Sequence, residues 1–458
     1  MCKDIQVPDT VKSILRKLTM SGFEAYAVGG CVRDSILGRV PHDWDICTSA
    51  LPQEVESCFE NRHIIETGLK HGTITLMVDR KPYEITTFRQ DGNYTDHRHP
   101  DKVSFVQNLQ EDLARRDFTV NAMAADASGR VIDYFGGLED LDRGVIRCVG
   151  NPFERFQEDA LRILRALRFA SRYDFSIEEG TKAAIFSLKE LLSEIANERI
   201  NKELEGILMG NCYNILKEFH SVFSFLIPEV KRTVGFEQNN PYHYLDVWEH
   251  TALAVANAPK DRYVRLALLY HDLGKPECYF CDDKGIGHFY GHCAKSAEIA
   301  EQSMRTLRFD KKTIQIVVDL VENHDGRIVP EKRAVRRYLN CFGKEQLIRL
   351  LHVKDADQSA QTIQDQKSLM ESIIPVIEEI EKEQSCFSMK DLAVNGRDLM
   401  KIGYKEGKEI GGCLNYLLDR TIDGTVENQK DALLDEARRY KRMLDSLKEI
   451  ADRHNVAW

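Results

Sequence analysis

Val28-Gly29-Gly30-Cys31-Val32-Arg33-Asp34 is followed, one short helix later, by His42-Asp43-Trp44-Asp45-Ile46, and these two stretches decide how the amino-terminal part folds. Ala25-Tyr26-Ala27-Val28 reads as a strand, the glycine pair as the turn out of it, and residues 31–37 as the helix that the turn feeds. Adjacent glycines let the backbone approach a ligand closely, and a helix N-terminus presents unpaired N–H groups to a phosphate. Arg33 falls on the first helical turn, where a guanidinium can grip a phosphate through two hydrogen bonds. Asp43-Trp44-Asp45-Ile46-Cys47 reads as the next strand, and residues two apart on a strand share a face, so Asp43 and Asp45 are expected side by side. Paired carboxylates repel unless a cation lies between them, and Mg2+ is the natural occupant because it is held by carboxylates and substrate phosphates together. An exposed edge strand of alternating charge would show the same local pattern.

Working outward, residues 74–78 and 83–88 read as further strands and 53–59 as a helix, which makes the first ~150 residues an α/β unit. From Pro152 onward a 3.6-residue periodicity dominates, so the remainder is expected to be helical. At 458 residues the chain is long enough for about three domains. Its 63 basic and 73 acidic residues leave a net charge of -10, which argues against nucleic-acid binding by the whole surface but not by a local basic stripe. The longest apolar runs, such as 266–270, fall far short of the ~18 residues of a membrane span. The start, Met1-Cys2-Lys3-Asp4, lacks an apolar leader, so a cytoplasmic chain with no membrane partner is expected. Twelve scattered cysteines read as reduced thiols. Cys278 and Cys281 stand ahead of His288, His292 and Cys293, but without a second C-x-x-C a zinc site there is the lesser reading. Residues 432–453 form an amphipathic stripe of Leu433, Ala437, Tyr440, Leu444 and Leu447, expected to dock on the body of the chain rather than form a dimerising coil.

Gly-Gly-x-x-Arg-Asp, a short helix and then Asp-x-Asp together resemble the signature of the nucleotidyltransferase superfamily headed by DNA polymerase β. The residues that follow narrow the resemblance to the class II group of CCA-adding enzymes and poly(A) polymerases. That resemblance implies an α/β polymerase-β-like head (1–150), an all-α neck (151–240), an HD domain (241–370) and a helical body and tail (371–458). It implies that Asp43 and Asp45 hold Mg2+, that Glu84 in Tyr83-Glu84-Ile85-Thr86-Thr87-Phe88-Arg89 is the third carboxylate, and that Gly29, Gly30 and Arg33 meet the triphosphate. A buried or salt-bridged Glu84 is the competing reading. Asp91-Gly92-Asn93-Tyr94-Thr95-Asp96-His97-Arg98-His99-Pro100 is similar to the flexible loop of CCA-adding and A-adding members. Glu111-Asp112-Leu113-Ala114-Arg115-Arg116-Asp117-Phe118-Thr119-Val120-Asn121-Ala122 is similar to the ribose-and-phosphate motif. By that match Arg116, Asp117 and Asn121 face the nucleotide, while Arg115 is left to a surface salt bridge.

Gln157-Glu158-Asp159-Ala160-Leu161-Arg162-Ile163-Leu164-Arg165-Ala166-Leu167-Arg168-Phe169 reads as one helix, with Arg162, Arg165 and Arg168 as a basic stripe and Leu161, Leu164, Leu167 and Phe169 facing a core. Asp159 and Arg162 are neighbours at i,i+3, and an ordinary surface ion pair is one reading of them. Chemistry favours another. Cytosine and adenine each place an amino donor beside an acceptor ring nitrogen, whereas uracil and guanine reverse the order. A carboxylate only accepts and a guanidinium only donates, so one Asp and one Arg match C and A. Glu-Asp-x-x-Arg resembles the class II protein template, which makes Asp159 and Arg162 the base-selecting pair for CTP and ATP, with Arg165 and Arg168 supporting the nucleotide.

His250, His271-Asp272-Leu273-Gly274-Lys275, His292, Asn323-His324-Asp325 and Asp357 sit at the ends of separate apolar helices, a pattern that suggests convergence on a metal. His-Asp followed by Leu-Gly-Lys resembles the HD phosphohydrolase domain. The resemblance implies His250, His271, Asp272 and Asp357 as ligands of one divalent metal of unspecified identity, and His292 and His324 as ligands of a second ion or as phosphate contacts. His288 is left as structural. Leu392-Ala393-Val394-Asn395-Gly396-Arg397-Asp398-Leu399-Met400 resembles the body and tail of clostridial-type enzymes. The expected reaction is attack of a tRNA 3′-OH on the α-phosphate of CTP or ATP. An A-adding enzyme or poly(A) polymerase on the same scaffold, and an HD phosphohydrolase acting on RNA 3′ ends or nucleotides, are the rivals.

Overall fold

The computed structural model describes residues 4–60, 62–68, 72–91, 103–361, 368–383 and 388–453. The chain forms two compact units: Met1–Glu237 with Asp246–Ala256 and Glu301–Ile314, and Gln238–Leu245 with Asn257–Ala300 and Gln315–Trp458.

The first unit is built on short strands: β1 (Ala25–Val28), β2 (Ile46–Thr48), β3 (His63–Gly68), β4 (Thr73–Val78), β5 (Lys81–Thr87), β6 (Arg89–Asp91), β7 (Val103–Phe105), β8 (Met123–Ala125) and β9 (Val131–Asp133). Seven of them form one sheet in the order β3-β4-β5-β2-β1-β8-β9, and β6 pairs with β7 apart from it. β2 and β5 run parallel, with Ile46 opposite Ile85, while β2–β1, β1–β8, β8–β9, β3–β4 and β4–β5 are antiparallel. Helix α1 (Asp9–Met20) buries Val11, Ile14, Leu15 and Leu18, a stripe at helical spacing, and packs on β1. Around Val28, Cys47, Phe88, Leu113 and Ala124 a core closes the sheet.

Helices follow: α2 (Gly30–Ile36), α3 (Pro52–Cys58), α4 (Leu109–Ala114), α5 (Gly137–Arg143), α6 (Pro152–Glu158), α7 (Leu161–Tyr173), α8 (Glu179–Leu188) and α9 (Asn197–Leu208). Leu161, Leu164, Leu167 and Phe169 of α7 are all buried, as the periodicity predicts. Two expectations need correction. The second strand begins at Ile46, so Asp43 and Asp45 lie in the loop entering it rather than on it. Residues 157–169 are not one helix: Asp159 has extended backbone (φ -142°, ψ 102°), which breaks the chain between α6 and α7. Its carboxylate then caps α7 by accepting from the Leu161 N–H at 3.0 Å, the competing bond that draws Asp out of helix interiors.

The second unit is helical apart from a small hairpin, Phe280–Cys281 against Gly287–His288. Its helices include Arg262–Tyr270, Lys332–Ser359, Leu369–Lys382, Lys408–Ile422 and Lys430–Arg453. The last packs on its own unit as expected: Leu433 and Ala437 are buried with Leu399, Cys413 and Leu417, and Tyr440 stacks on Tyr416 at 3.9 Å. Leu447, counted in that stripe, is exposed. No helix among the described residues is long and apolar enough to cross a membrane.

Candidate functional site

Gly29 makes the turn from β1 to α2 at φ +80°, a left-handed conformation that side chains resist, and a Cβ there would stand 3.0 Å from Arg116 Nη1. The turn therefore needs its glycine twice over, for backbone and for the approach of Arg116. Asp43, Asp45 and Glu84 are all exposed. Because Ile46 and Ile85 are register partners, Asp45 and Glu84 enter their parallel strands side by side. Asp45 has its proton affinity raised, first by the protein crowding its carboxyl and then by the Glu84 charge, with Arg116 opposing and Asp43 adding. Glu84 and Asp43 both act on Asp45 at the middle of the sheet, and a hard divalent cation is the natural counterpart of such mutually repelling carboxylates.

Behind them runs a buried chain of polar bonds. Arg33 Nε donates to Asp34 Oδ1 at 2.9 Å and Arg33 Nη1 donates to Asn121 Oδ1. Asn121 Nδ2 donates to Asp117 Oδ1 at 3.1 Å, and Arg165 of α7 donates twice to Asp117 Oδ2, at 2.9 and 2.7 Å. Burial alone would raise the Asp117 carboxyl, but Arg165 and then Asn121 outweigh it and hold it down at about 2. The Arg33 guanidinium lies 4.7 Å over the Tyr173 ring, whose hydroxyl donates to Asp34 at 2.8 Å. Thus Gly30, Arg33, Asp117, Asn121 and Arg165 come together, and α7 is tied to the head. Arg115, expected at the surface, instead grips the fully buried Asp112 at 2.9 and 3.0 Å, and Asp112 also takes Arg116 at 3.5 Å. Sequence reading missed Asp112 as the residue that orients Arg116, because an Asp at the fourth residue of a short helix reads as ordinary first-turn charge.

Asp159 and Arg162 are close in the chain but are not paired with each other. Asp159 Oδ2 accepts from Arg199 of α9 at 2.9 Å. Arg162 Nη1 donates to Glu158 at 2.7 Å, and its Nη2 to the Arg115 carbonyl at 3.3 Å. The i,i+3 surface ion pair is therefore absent, and each member is held by a different neighbour. Arg168 binds Glu203 of α9 at 2.6 Å and lies 4.3 Å over Phe169. Arg199 and Glu203 had no local signal in the sequence, since their partners are far away along the chain.

In the second unit His271, His292 and His324 share one device. Their Nδ1 atoms bond the carbonyls of Leu268, Phe289 and Val321 at 2.6, 2.9 and 2.6 Å, which turns each Nε2 inward. The Nε2 atoms of His292 and His324 stand 3.2 Å apart. Asp272 Oδ1 is 3.5 Å from His292 and 3.8 Å from His324, while His271 Nε2 is 3.2 Å from Asp272 and 3.6 Å from Asp357. Nitrogen and oxygen ligands about 2.0–2.2 Å from one ion stand roughly this far from each other. Burial, and then the His271 charge, lower the pKa of the His324 imidazole, whereas at His271 burial is outweighed by Asp272 and Asp357, which raise it. Asp272, His292, His324 and Asp357 line a cavity of about 410 Å3. His250 is buried on the helix Val247–Asn257, in the part assigned to the first unit. Cys278 and Cys281 join no cluster of potential ligands among the described residues, whereas Cys293 lies 3.7 Å from His292 Nε2. His288 bonds Asp282 at 3.1 Å within the hairpin, as befits a structural residue. The expected loop 91–100 lies, apart from Asp91, outside the described residues.

A mixed sheet with a glycine turn leaving its interior strand β1, neighbouring carboxylates beside it and a buried arginine network defines a nucleotidyltransferase-type head followed by helices. Comparison with known proteins agrees. Residues 25–147 match the poly A polymerase head domain, 174–232 the probable RNA and SrmB-binding site of polymerase A, and 289–437 the putative tRNA nucleotidyltransferase domain 2. The CCA-adding enzyme of Enterococcus faecalis is 34% identical over 433 residues, 93% of this chain and 95% of that protein. That of Lactiplantibacillus plantarum is 36% identical over 434 residues, again 93% and 95%. Among solved structures, the Bacillus stearothermophilus CCA-adding enzyme in complex with CTP is 29% identical, with a TM-score of 0.71 over 95% of this chain and 98% of that one. The Thermotoga maritima CCA-adding enzyme complexed with tRNA, 21% identical at a TM-score of 0.61 over 98% and 99%, shares the fold. The chain belongs to the CCA-adding enzyme family, and dependence on a divalent metal comes with that membership.

Proposed function

We propose that this chain adds C, C and A to the 3′ end of tRNA, taking CTP and ATP in turn without a nucleic-acid template. The observation that carries the reading is the Arg165–Asp117 bridge: it ties the helix bearing Arg162, with Asp159 at its cap, to the carboxylate-bearing head. The CTP bound by the B. stearothermophilus relative supports the nucleotide class. In the reaction the tRNA 3′ oxygen bonds the α-phosphorus and the bond to pyrophosphate breaks. Asp43 and Asp45, with Glu84 beside them, are the residues that would hold Mg2+, and their crowded negative charge fits it. When bound, the ion would supply positive charge to the transferring phosphate. Gly29 and Gly30 bring backbone close to the triphosphate, Arg33 and Arg116 steady it, and Asp117 and Asn121 face the ribose. Asp159 accepts from the amino group and Arg162 donates to the ring nitrogen of the incoming base, while Arg165 and Arg168 fix the helix that presents Arg162.

A second centre is favoured by the three inward Nε2 atoms. We assign His271, Asp272 and Asp357, with His292 and His324, to a divalent ion of HD type. A cytoplasmic setting suits these residues and the free cysteines among the described residues.

The test uses tRNA transcripts ending at the discriminator base, at C and at CC, incubated with CTP, ATP, both or UTP and resolved on a sequencing gel. Two C additions and one A, with UTP ignored, are expected. A added only to the CC end would make it an A-adding enzyme, and long A tails on any RNA a poly(A) polymerase. No incorporation would leave the second centre as the working site.

A further inference from the structure

Leu161, Leu164, Leu167 and Phe169 give α7 an apolar buried face, and the hydroxyl of Tyr173, at the last residue of the helix, is out of character with it. The ring itself is packed as a core ring: it is 6% exposed, with Phe169 6.2 Å and Phe175 5.7 Å away. A phenylalanine would fill that space, so packing does not account for the oxygen. A buried phenol needs a hydrogen-bond partner, and this one donates at 2.8 Å to Asp34, 139 residues away in the chain. The atom that accepts, Asp34 Oδ1, is the same one that holds Arg33 Nε at 2.9 Å.

Arg33 is thereby set from several directions. Asp34 takes its Nε and Asn121 its Nη1, while the Tyr173 ring centre lies 4.7 Å and the Phe169 ring centre 5.2 Å from its guanidinium carbon. Its Nη2 lies against the glycine turn, 3.5 Å from where a Cβ on Gly30 would stand. Arg39, in the segment leading to Asp43, has its guanidinium carbon 4.7 Å from the same Tyr173 ring centre and further confines it. A guanidinium whose plane is fixed beforehand loses less freedom when it grips a phosphate.

We propose that Tyr173 is a positioning residue for nucleotidyl transfer: through Asp34 and through its ring it holds Arg33 so that Nη2 faces the triphosphate at the glycine turn. The assignment rests on the reading of this chain as a nucleotidyltransferase whose triphosphate lies at Gly29 and Gly30. One helix of 13 residues then serves both ends of the nucleotide, with Arg162 near its start for the base and Tyr173 at its end for the phosphates.

Calorimetric titration of the full chain with CTP and with ATP, in Mg2+ and without tRNA, tests this. Tyr173→Phe keeps the ring and loses the hydroxyl, and it should weaken CTP by about 2- to 10-fold, the range of one hydrogen bond. ATP should weaken by the same factor, because the two nucleotides share their triphosphate. Tyr173→Leu removes the ring as well and should weaken both further, by about 5- to 100-fold. Arg33→Lys keeps a cation but has no Nε for Asp34 to fix, so in that background Tyr173→Phe should add nothing. A tyrosine that only supports the fold would lower the melting temperature and the binding stoichiometry and leave the affinity alone. Unchanged CTP affinity in Tyr173→Phe, a loss confined to one nucleotide, or a loss that persists in full beside Arg33→Lys overturns the assignment while the reading of the site stands. Should Tyr173→Leu fail to fold, Tyr173→Phe and the double variant decide alone. If the unaltered chain binds neither nucleotide, both fall.

Discussion

Asp45 and Asp117 are two carboxylates of one site with opposite acidities, and each makes a prediction. Asp45 is harder to ionise in the fold than in an open chain, so folding stability falls as pH rises from the ordinary Asp value through its raised one. Asp45→Asn should therefore raise the melting temperature in EDTA while lowering CTP incorporation on the order of a thousandfold, the scale at which one preorganised charge contact shows. A melting temperature unchanged or lowered would mean that the three carboxylates do not strain the metal-free fold. Asp117 has the reverse sign. Its depressed pKa, at about 2, gives stability fully present above roughly pH 4 and lost as pH falls through about 2. Arg165→Gln removes the leading cause, so the acid midpoint followed by circular dichroism should move to higher pH.

Among elements, the contact between α7 and α9 governs how Asp159 meets Arg199. Two glycines make it: a Cβ on Gly206 would lie 2.4 Å from Arg168 Cδ, and one on Gly210, just past the end of α9, 2.3 Å from Ser171 Oγ. Gly210→Ala should cost about 1–3 kcal/mol in urea unfolding, the usual scale of overpacking. It should also loosen discrimination between CTP and UTP, because α9 carries Arg199. Much of this layer is legible in the sequence: α7's buried face follows from Leu161, Leu164 and Leu167, and the head's α/β character from its short apolar runs. The break at Asp159 is not, since Gln157–Glu158–Asp159–Ala160 has no glycine or proline and the carboxylate's choice to cap α7 depends on three-dimensional neighbours. The loop position of Asp43 escapes for a related reason: D-x-D alternation looks the same before a strand as within it. Arg199 and Glu203 are invisible because they act across folds of the chain, 40 and 35 residues from their partners, rather than along it.

At the scale of the whole molecule the transfer site and the proposed second centre occupy separate sets of residues, and their functions should be lost separately. Asp357→Asn is expected to deplete the metal bound by the second centre, measured by elemental analysis after dialysis, while CCA addition persists on the tRNA gel. Asp43→Asn should do the converse. Loss of both functions from Asp357→Asn alone would mean that the histidine cluster supports tRNA binding rather than a chemistry of its own.

The break between α6 and α7 has a geometric consequence. A purine carries its donor–acceptor edge farther from the sugar than a pyrimidine does, so two side chains fixed on one helix would gauge a single width. Here Arg162 stands on the helix and Asp159 just outside it, its extended backbone turning between α6 and α7 and its carboxylate steadied by Arg199 of α9. If Asp159 and Arg162 select the incoming base as proposed, a residue at the cap and one on the helix can be set to different widths, like the jaws of a caliper. Asp159→Ala should then let UTP be incorporated about 5- to 150-fold more readily relative to CTP.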